Sequence, residues 1–256
     1  MSKKINHWWR ILATGICFSY FGIGALILTI FVFPLQKLYY QNKLKRKKVA
    51  RKTVHTTFKW FISFMQFSGI FLFDLKNVQQ LKTLKGHLIL ANHPSLIDVV
   101  VLISVIPNAD CVVKAHLFKN PFLRGVVTNT GYISNQDPEG LLIDCEQTLA
   151  TGNNLIIFPE GTRTKKGKSV SFLRGAANIA VRCQAKITCV LIDVQPPTLT
   201  KSEAWYKVPK EKANFKAKII EGFPDMPDYL TETVSQDVRK YNRGLEQYFK
   251  KKIQTL

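Results

Sequence analysis

His93 and Asp98 lie five positions apart in the segment Asn92-His93-Pro94-Ser95-Leu96-Ile97-Asp98. A neutral imidazole can take a proton from an alcohol near neutral pH. A carboxylate on its other ring nitrogen fixes the tautomer and stabilises the imidazolium that forms. No serine or cysteine nucleophile is then needed, because an acceptor hydroxyl can itself attack. Residues five apart do not share a helical face. The pair meets if His93 lies in a loop and Asp98 in the first or second turn of the helix that follows, where a carboxylate also suits the positive helix end. A His-x4-Asp pattern alone occurs by chance, and His7, His55, His87 and His116 show how little one histidine means. A purely structural pair is therefore the alternative reading.

A second segment, Phe158-Pro159-Glu160-Gly161-Thr162-Arg163, ends an apolar run with an acid, a glycine, a hydroxyl and an arginine. Gly161 allows close approach of backbone to a ligand. Arg163 offers a planar fork of donors that matches phosphate oxygens. Lys165, Lys166 and Lys168 raise the local positive potential. The alternative is a solvated basic turn.

Both segments need elements to hold them. Residues 88–91 read as a short buried strand and 95–106 as a helix stopped by Pro107. Residues 111–113 predict a second strand, and 117–127 a helix. Asp137-Pro138-Glu139 is an N-cap followed by proline at the first helical position, and Gly152 supplies the stop. Strands follow at 155–158 and 187–194, with a helix at 176–182 between them. After Pro196-Pro197 comes a long excursion, a late strand at 215–220 and a final amphipathic helix at 229–251. Alternating strands and helices predict an α/β fold with a largely parallel central sheet flanked by helices. Ligands in such folds sit at the carboxyl ends of the strands, where both segments fall.

The N-terminal part reads differently. Residues 11–33 carry no charge. As a helix they reach about 34 Å, enough for a hydrocarbon core of ~30 Å. Pro34 predicts a break. Lys37, Lys43, Lys45, Arg46, Lys47, Lys48, Arg51 and Lys52 follow, against Lys3, Lys4 and Arg10 before the apolar run. That asymmetry predicts a retained anchor with the folded domain in the cytoplasm, at the inner membrane in a bacterium. Trp8, Trp9, Tyr39 and Tyr40 suit the two headgroup regions. A shorter apolar stretch, 58–73, contains Lys59 and Gln66 and predicts a helix in the interface, with packing on the domain core as the alternative. A re-entrant first segment would make the protein monotopic. The division expected is 1–75 for anchor and basic interfacial helices, and 76–256 for the catalytic domain.

The net charge of +20 calls for anionic partners. No acidic residue precedes Asp74, and the basic excess surrounds the apolar segment. This favours a membrane surface over nucleic acid, for which no motif is visible. The five cysteines, Cys17, Cys111, Cys145, Cys183 and Cys189, are odd in number and lack a CxxC. They predict free thiols, no disulfide framework and no zinc site.

The two segments together resemble the glycerolipid, or lysophospholipid, acyltransferase family. Its Asn-His-x-Ser-x-x-Asp block is matched by Asn92, His93, Ser95 and Asp98, and its Phe-Pro-Glu-Gly-Thr-Arg block at every position from Phe158 to Arg163. The resemblance extends over residues 114–121 and 172–176 and spans about residues 85–195. It implies an acyl group carried as a thioester of coenzyme A or acyl carrier protein, membrane lipids as partners, and no metal or prosthetic group. It implies His93 as general base and Asp98 as its orienter. Glu160, Gly161, Thr162 and Arg163, with Lys114 and Asn135, would line the acceptor site. Two positions depart from the family. In Gly131-Tyr132-Ile133-Ser134-Asn135, Asn135 stands where the family has an arginine that contacts the acceptor phosphate. Thr188 stands where proline is usual before Cys189-Val190. The expected reaction is acylation of a lysophospholipid such as 1-acyl-glycerol-3-phosphate. Asn135 keeps open a non-glycerophosphate acceptor, such as a glycolipid or a specialised pathway product. A thioesterase, or a non-catalytic membrane-binding protein, is the reading from another class.

Overall fold

Strands covered on both faces read as unbroken apolar runs, and alternate side chains must then enter two separate cores. The computed structural model, which describes residues 3–223 and 233–255, is built this way. Seven strands form one sheet: β1 (Phe71–Asp74), β2 (His87–Ala91), β3 (Ala109–Val113), β4 (Ile133–Ser134), β5 (Asn154–Ile157), β6 (Lys186–Gln195) and β7 (Ala213–Ile220). Their spatial order is β1-β7-β6-β2-β5-β3-β4. Every neighbouring pair is parallel except β6–β7. In β2, Leu88 and Leu90 enter one core while Ile89 and Ala91 enter the other.

The helices are α1 (Lys3–Ile27), α2 (Phe33–Tyr39), α3 (Lys43–Phe67), α4 (Asp98–Val105), α5 (Arg124–Thr130), α6 (Pro138–Ala150), α7 (Arg174–Arg182) and α8 (Val234–Gln254). Apolar residues of α1, α3, α4 and α5 share one core. Those of α6, α7 and α8 share the other. The fold is the α/β class with a mostly parallel sheet. Asp137 caps α6 by accepting the Glu139 and Gly140 amides, and Gly152, in the left-handed region, closes it as expected.

Several expectations change. The helix expected over 95–106 starts only at Asp98. The helix expected over 117–127 is two pieces, a 3₁₀ turn at Ala115–Phe118 and then α5. Pro121 cannot continue a helix, and the Asn120 side chain instead accepts the Phe122 and Leu123 amides. The apolar stretch 58–73 is the end of α3 followed by β1. After the Ser68 cap, the Gly69 amide bonds Gln66 O and the Ile70 amide bonds Met65 O, which stops the helix by the usual left-handed glycine device. Phe61, Ile62 and Met65 face the core, while Trp60 and Phe67 of the same stretch are exposed. β1 pairs with β7, so the sheet begins inside the segment assigned to the anchor. Of the final helix expected at 229–251, residues 229–232 lie outside the described residues.

Pro34 does not break the first helix. A π turn, Leu28–Val32, carries the chain from α1 into α2, with Pro34 in the first turn. The widened turn leaves room for a ring that would clash with the carbonyl four residues back. Asn6–Tyr39 is thus one continuous helical run, long and apolar enough by length and composition to cross a membrane. Its other side lies along the domain. Trp9 donates to Ser68 O, Tyr20 stacks on Phe61 and Phe64, Phe21 packs on Phe58, and Gln36 reaches Thr53. α3 is tied to β3 by a buried ion pair, Arg51–Asp110, at 2.6 Å.

Candidate active site

β2 delivers Asn92 and His93 to the carboxyl end of the sheet. Asn92 continues β2 with its side chain: Nδ2 donates to Ile192 O and Oδ1 accepts the Ile192 amide, at 2.8 and 2.7 Å. That clamp fixes where the chain leaves the strand. His93 then sits in the loop and Asp98 opens α4. His93 Nδ1 lies 2.7 Å from Asp98 Oδ2, and the same oxygen accepts the Ser95 amide at 2.8 Å. A carboxylate oxygen needs a donor, so Nδ1 carries the proton and Nε2 is left with its lone pair. The His93 ring stacks on Phe158, centroids 4.2 Å apart. Asp98 is fully buried. Burial pushes its carboxyl up, while the bonds from His93 and the Ser95 amide and the charge of Arg163 favour the ionised form.

The second segment closes around the first. Glu160 Oε1 accepts the His93 amide at 2.7 Å, and the Thr164 amide donates to His93 O at 2.9 Å. Gly161 has φ +64°, and an added Cβ would press on Leu173. Glycine is favoured there by conformation, since the Leu173 methyl belongs to an exposed side chain that can turn aside. Arg163 Nη1 donates to Leu199 O and Thr200 O, at 2.9 and 3.0 Å. Ser95 Oγ donates to Thr198 O, and the Leu96 amide to Leu199 O. The excursion after β6 is thereby stapled onto the His93 loop. Leu199 is held there at φ +54°, an unusual backbone for a branched side chain.

His93, Lys114, Asn135, Gly161, Thr162 and Arg163 all line one cavity of about 610 Å³. Its body is apolar and runs between α1, α3, α4 and the sheet, past Phe18, Phe21, Met65 and Val100. Asp98 and Glu160 stand behind the lining. Glu160, expected at the acceptor, is buried with its carboxylate turned to the His93 backbone. Burial pushes it up to about 7, with the charge of Asp98 adding to the rise and the His93 amide opposing it. Asn135 Oδ1 accepts the Ala115 amide at 3.0 Å and so shapes the turn that carries Lys114 into the cavity. Four contributors were not foreseen: the Asn92 clamp, the Phe158 platform, the 198–200 strap and the wall supplied by α1. All depend on contacts between residues far apart in sequence, for which local pattern carries no signal.

A mostly parallel α/β sheet carries an apolar cavity whose lining also includes His93, Lys114 and Arg163, an arrangement with room for an apolar chain beside an anionic group. The family model for Acyltransferase matches residues 72–193. A 1-acyl-sn-glycerol-3-phosphate acyltransferase of Helicobacter pylori is 34% identical, over 97% of this chain and 96% of its own length. The human 1-acyl-sn-glycerol-3-phosphate acyltransferase beta is 30% identical over 52% of this chain and 50% of its own length. The crystal structure of the 1-acyl-sn-glycerophosphate acyltransferase PlsC from Thermotoga maritima has the same fold, with a TM-score of 0.63 at 18% identity, covering 100% of this chain and 99% of that one. The chain belongs to the acyltransferase family and is an O-acyltransferase, similar along nearly its whole length to 1-acyl-sn-glycerol-3-phosphate acyltransferases.

Proposed function

We propose that this enzyme transfers a fatty acyl group from a thioester of coenzyme A or acyl carrier protein to the free hydroxyl of 1-acyl-glycerol-3-phosphate. The observation that carries the reading is the His93–Asp98 hydrogen bond placed at the polar mouth of an apolar cavity. His93 Nε2 takes the hydroxyl proton as the acceptor oxygen attacks the thioester carbonyl. Asp98 holds the tautomer and stabilises the imidazolium. Collapse of the tetrahedral intermediate breaks the C–S bond, and the leaving thiolate recovers the proton from His93. Lys114 and Arg163 supply positive charge for the acceptor phosphate. Glu160 acts through the backbone of His93. No step calls for a metal or prosthetic group.

The expected result for His93→Ala is a loss of turnover by about 10²–10⁴-fold with the fold retained. Assay of purified protein with lysophosphatidate and both thioester donors measures it, and near-wild-type turnover would overturn the base assignment. A neutral acceptor is the second reading, and Asn135 is the observation that favours it, since the amide adds no charge at the cavity mouth. A panel of lysophosphatidate, lysoglycolipid and simple alcohol acceptors decides. Strong preference for lysophosphatidate removes the second reading, and free fatty acid as main product would mark a thioesterase.

The same reading places the protein on a membrane with the catalytic domain on the cytoplasmic side. One side of the α1–α2 run packs on the domain, while Leu12, Ile16, Ile23, Ile27, Ile30, Leu35 and Leu38 form an exposed row on the other. A helix seated lengthwise on a folded domain suits burial side-on in one leaflet better than crossing.

A further inference from the structure

α3 carries a concentration of charge that the reaction cavity does not use. Lys45, Lys48, Lys52, Thr56 and Lys59 are exposed and recur at three- and four-residue spacing, one stripe on one helical face. Lys48, Lys52, His55, Lys59 and Trp60 line a cleft of about 420 Å³ against Pro107 and Asn108. A second cavity of about 450 Å³ shares Lys52, Thr56 and Trp60 and extends to Tyr20 on α1. No carboxylate lines either one. Among the described residues, none of the three lysines is in an ion pair. Lys48 and Lys52 are one turn apart, where like charges repel. His55 Nδ1 is held by Ile103 O at 2.8 Å, and burial, with the charges of Lys59 and Lys82, lowers its pKa. An anion is the partner that would relieve this crowding.

The apolar neighbours say which kind of anion. Tyr20 stacks on Phe61 and Phe64 yet stays 42% exposed at the edge of α1 facing the cleft, and Trp60 is 70% exposed beside the lysines. The double cleft thus joins a cationic stripe to an apolar one, with aromatic rings at the seam, where Trp and Tyr sit at a bilayer surface. Neither cavity shares a lining residue with the reaction cavity. We infer that this cleft is a second lipid site, which seats the headgroup phosphate of an anionic glycerophospholipid among Lys48, Lys52 and Lys59 with its chains along the α1 row. A free phosphate would leave the apolar half of the cleft unused. The site is independent of the acyl-transfer chemistry and rests on side-on membrane seating.

The test is cosedimentation of the full-length protein with phosphatidylcholine vesicles that contain or lack phosphatidylglycerol, at physiological salt. One variant is Lys48→Gln/Lys52→Gln/Lys59→Gln. A control, Lys165→Gln/Lys166→Gln/Lys168→Gln, removes equal charge from the loop after Arg163. At roughly fivefold per surface lysine, the α3 variant should lose on the order of 100-fold in preference for the anionic vesicles, while the control keeps most of it. Unchanged acyl transfer in detergent establishes that the exposed substitutions leave the fold intact. Equal losses in the two variants, an undiminished preference in the first, or abolition of the preference by inorganic phosphate at matched phosphate concentration would each overturn the lipid site. Failure of the wild type to bind phosphatidylcholine alone would overturn side-on seating and this site with it, a result distinct from loss of the preference.

Discussion

Glu160 accepts the His93 amide with one carboxylate oxygen and buries the other with no partner among the described residues. A buried oxygen with nothing to bond is cheaper to hold when the carboxyl is neutral, which is why Glu160 is raised from 4.5 to about 7. The folded state therefore binds a proton that the unfolded chain releases above its own pKa. Stability from this group is complete below about 4.5 and is lost as pH rises through about 7. Glu160→Gln keeps an acceptor for His93 and removes the ionisation. Relative to wild type it should gain on the order of 1–3 kcal/mol between those two pH values, with near-wild-type turnover. Glu160→Ala loses the acceptor and should lower kcat. Urea unfolding in detergent across this pH range measures the difference, and parallel profiles for wild type and Glu160→Gln would sink the assignment. The His93–Asp98 pair was legible because both partners lie within one loop and one helix start. The Glu160 contact was not, because it joins residues brought together only by β2 and β5 lying side by side.

At the scale of elements, the seat of α1 on the domain is set by one missing side chain. A Cβ added to Gly125 in α5 would fall onto the Thr29 side chain. Thr29 cannot easily turn away, since its Oγ donates to Ala25 O at 2.8 Å. Gly125→Ala should therefore cost ~1–3 kcal/mol by overpacking, and Thr29→Gly in the same chain, which removes the whole side chain, should restore part of it, less about 1 kcal/mol for a glycine inside a helix. Thermal unfolding of the three variants in detergent is the measurement, and an unchanged Tm for Gly125→Ala would show that the seat is loose. Strands β2, β3, β5, β6 and β7 were legible because their runs are short, apolar and bounded by turns, whereas β1 and the two-residue β4 were not foreseen. The reading failed where one apolar run held two elements, as in 58–73, where Gly69 ends a helix within an uninterrupted hydrophobic stretch. It failed again at Asn120-Pro121, where a clear stop signal lies inside an apparent helical period.

For the whole molecule, the α1–α2 run and the rest of the chain are not separable parts. Thr14, Cys17, Phe18 and Phe21 of α1 line the reaction cavity, and Ala13, Cys17, Ala25 and Leu28 belong to the same core as Val101, Leu102 and Val190. Composition alone suggests a detachable anchor, because an apolar helix beside a basic run looks the same whether its second face meets lipid or protein. Arg10 decides against that picture within the described residues: its guanidinium bonds the backbone carbonyls of Pro209 and Lys210, on the excursion that closes the cavity. Removal of residues 1–42 should then open the cavity on one side and expose apolar surface of α3 and α5. The expected outcome is a chain that binds a hydrophobic dye, unfolds at lower temperature and fails to turn over even short-chain, water-soluble substrates that need no membrane. A truncated protein that stayed monomeric and kept near-wild-type turnover on those substrates would show that α1 serves only to reach the bilayer. Loss of turnover on short and long chains alike would instead mark α1 as a wall of the reaction cavity, so that acyl chain and leaflet meet along the same helix.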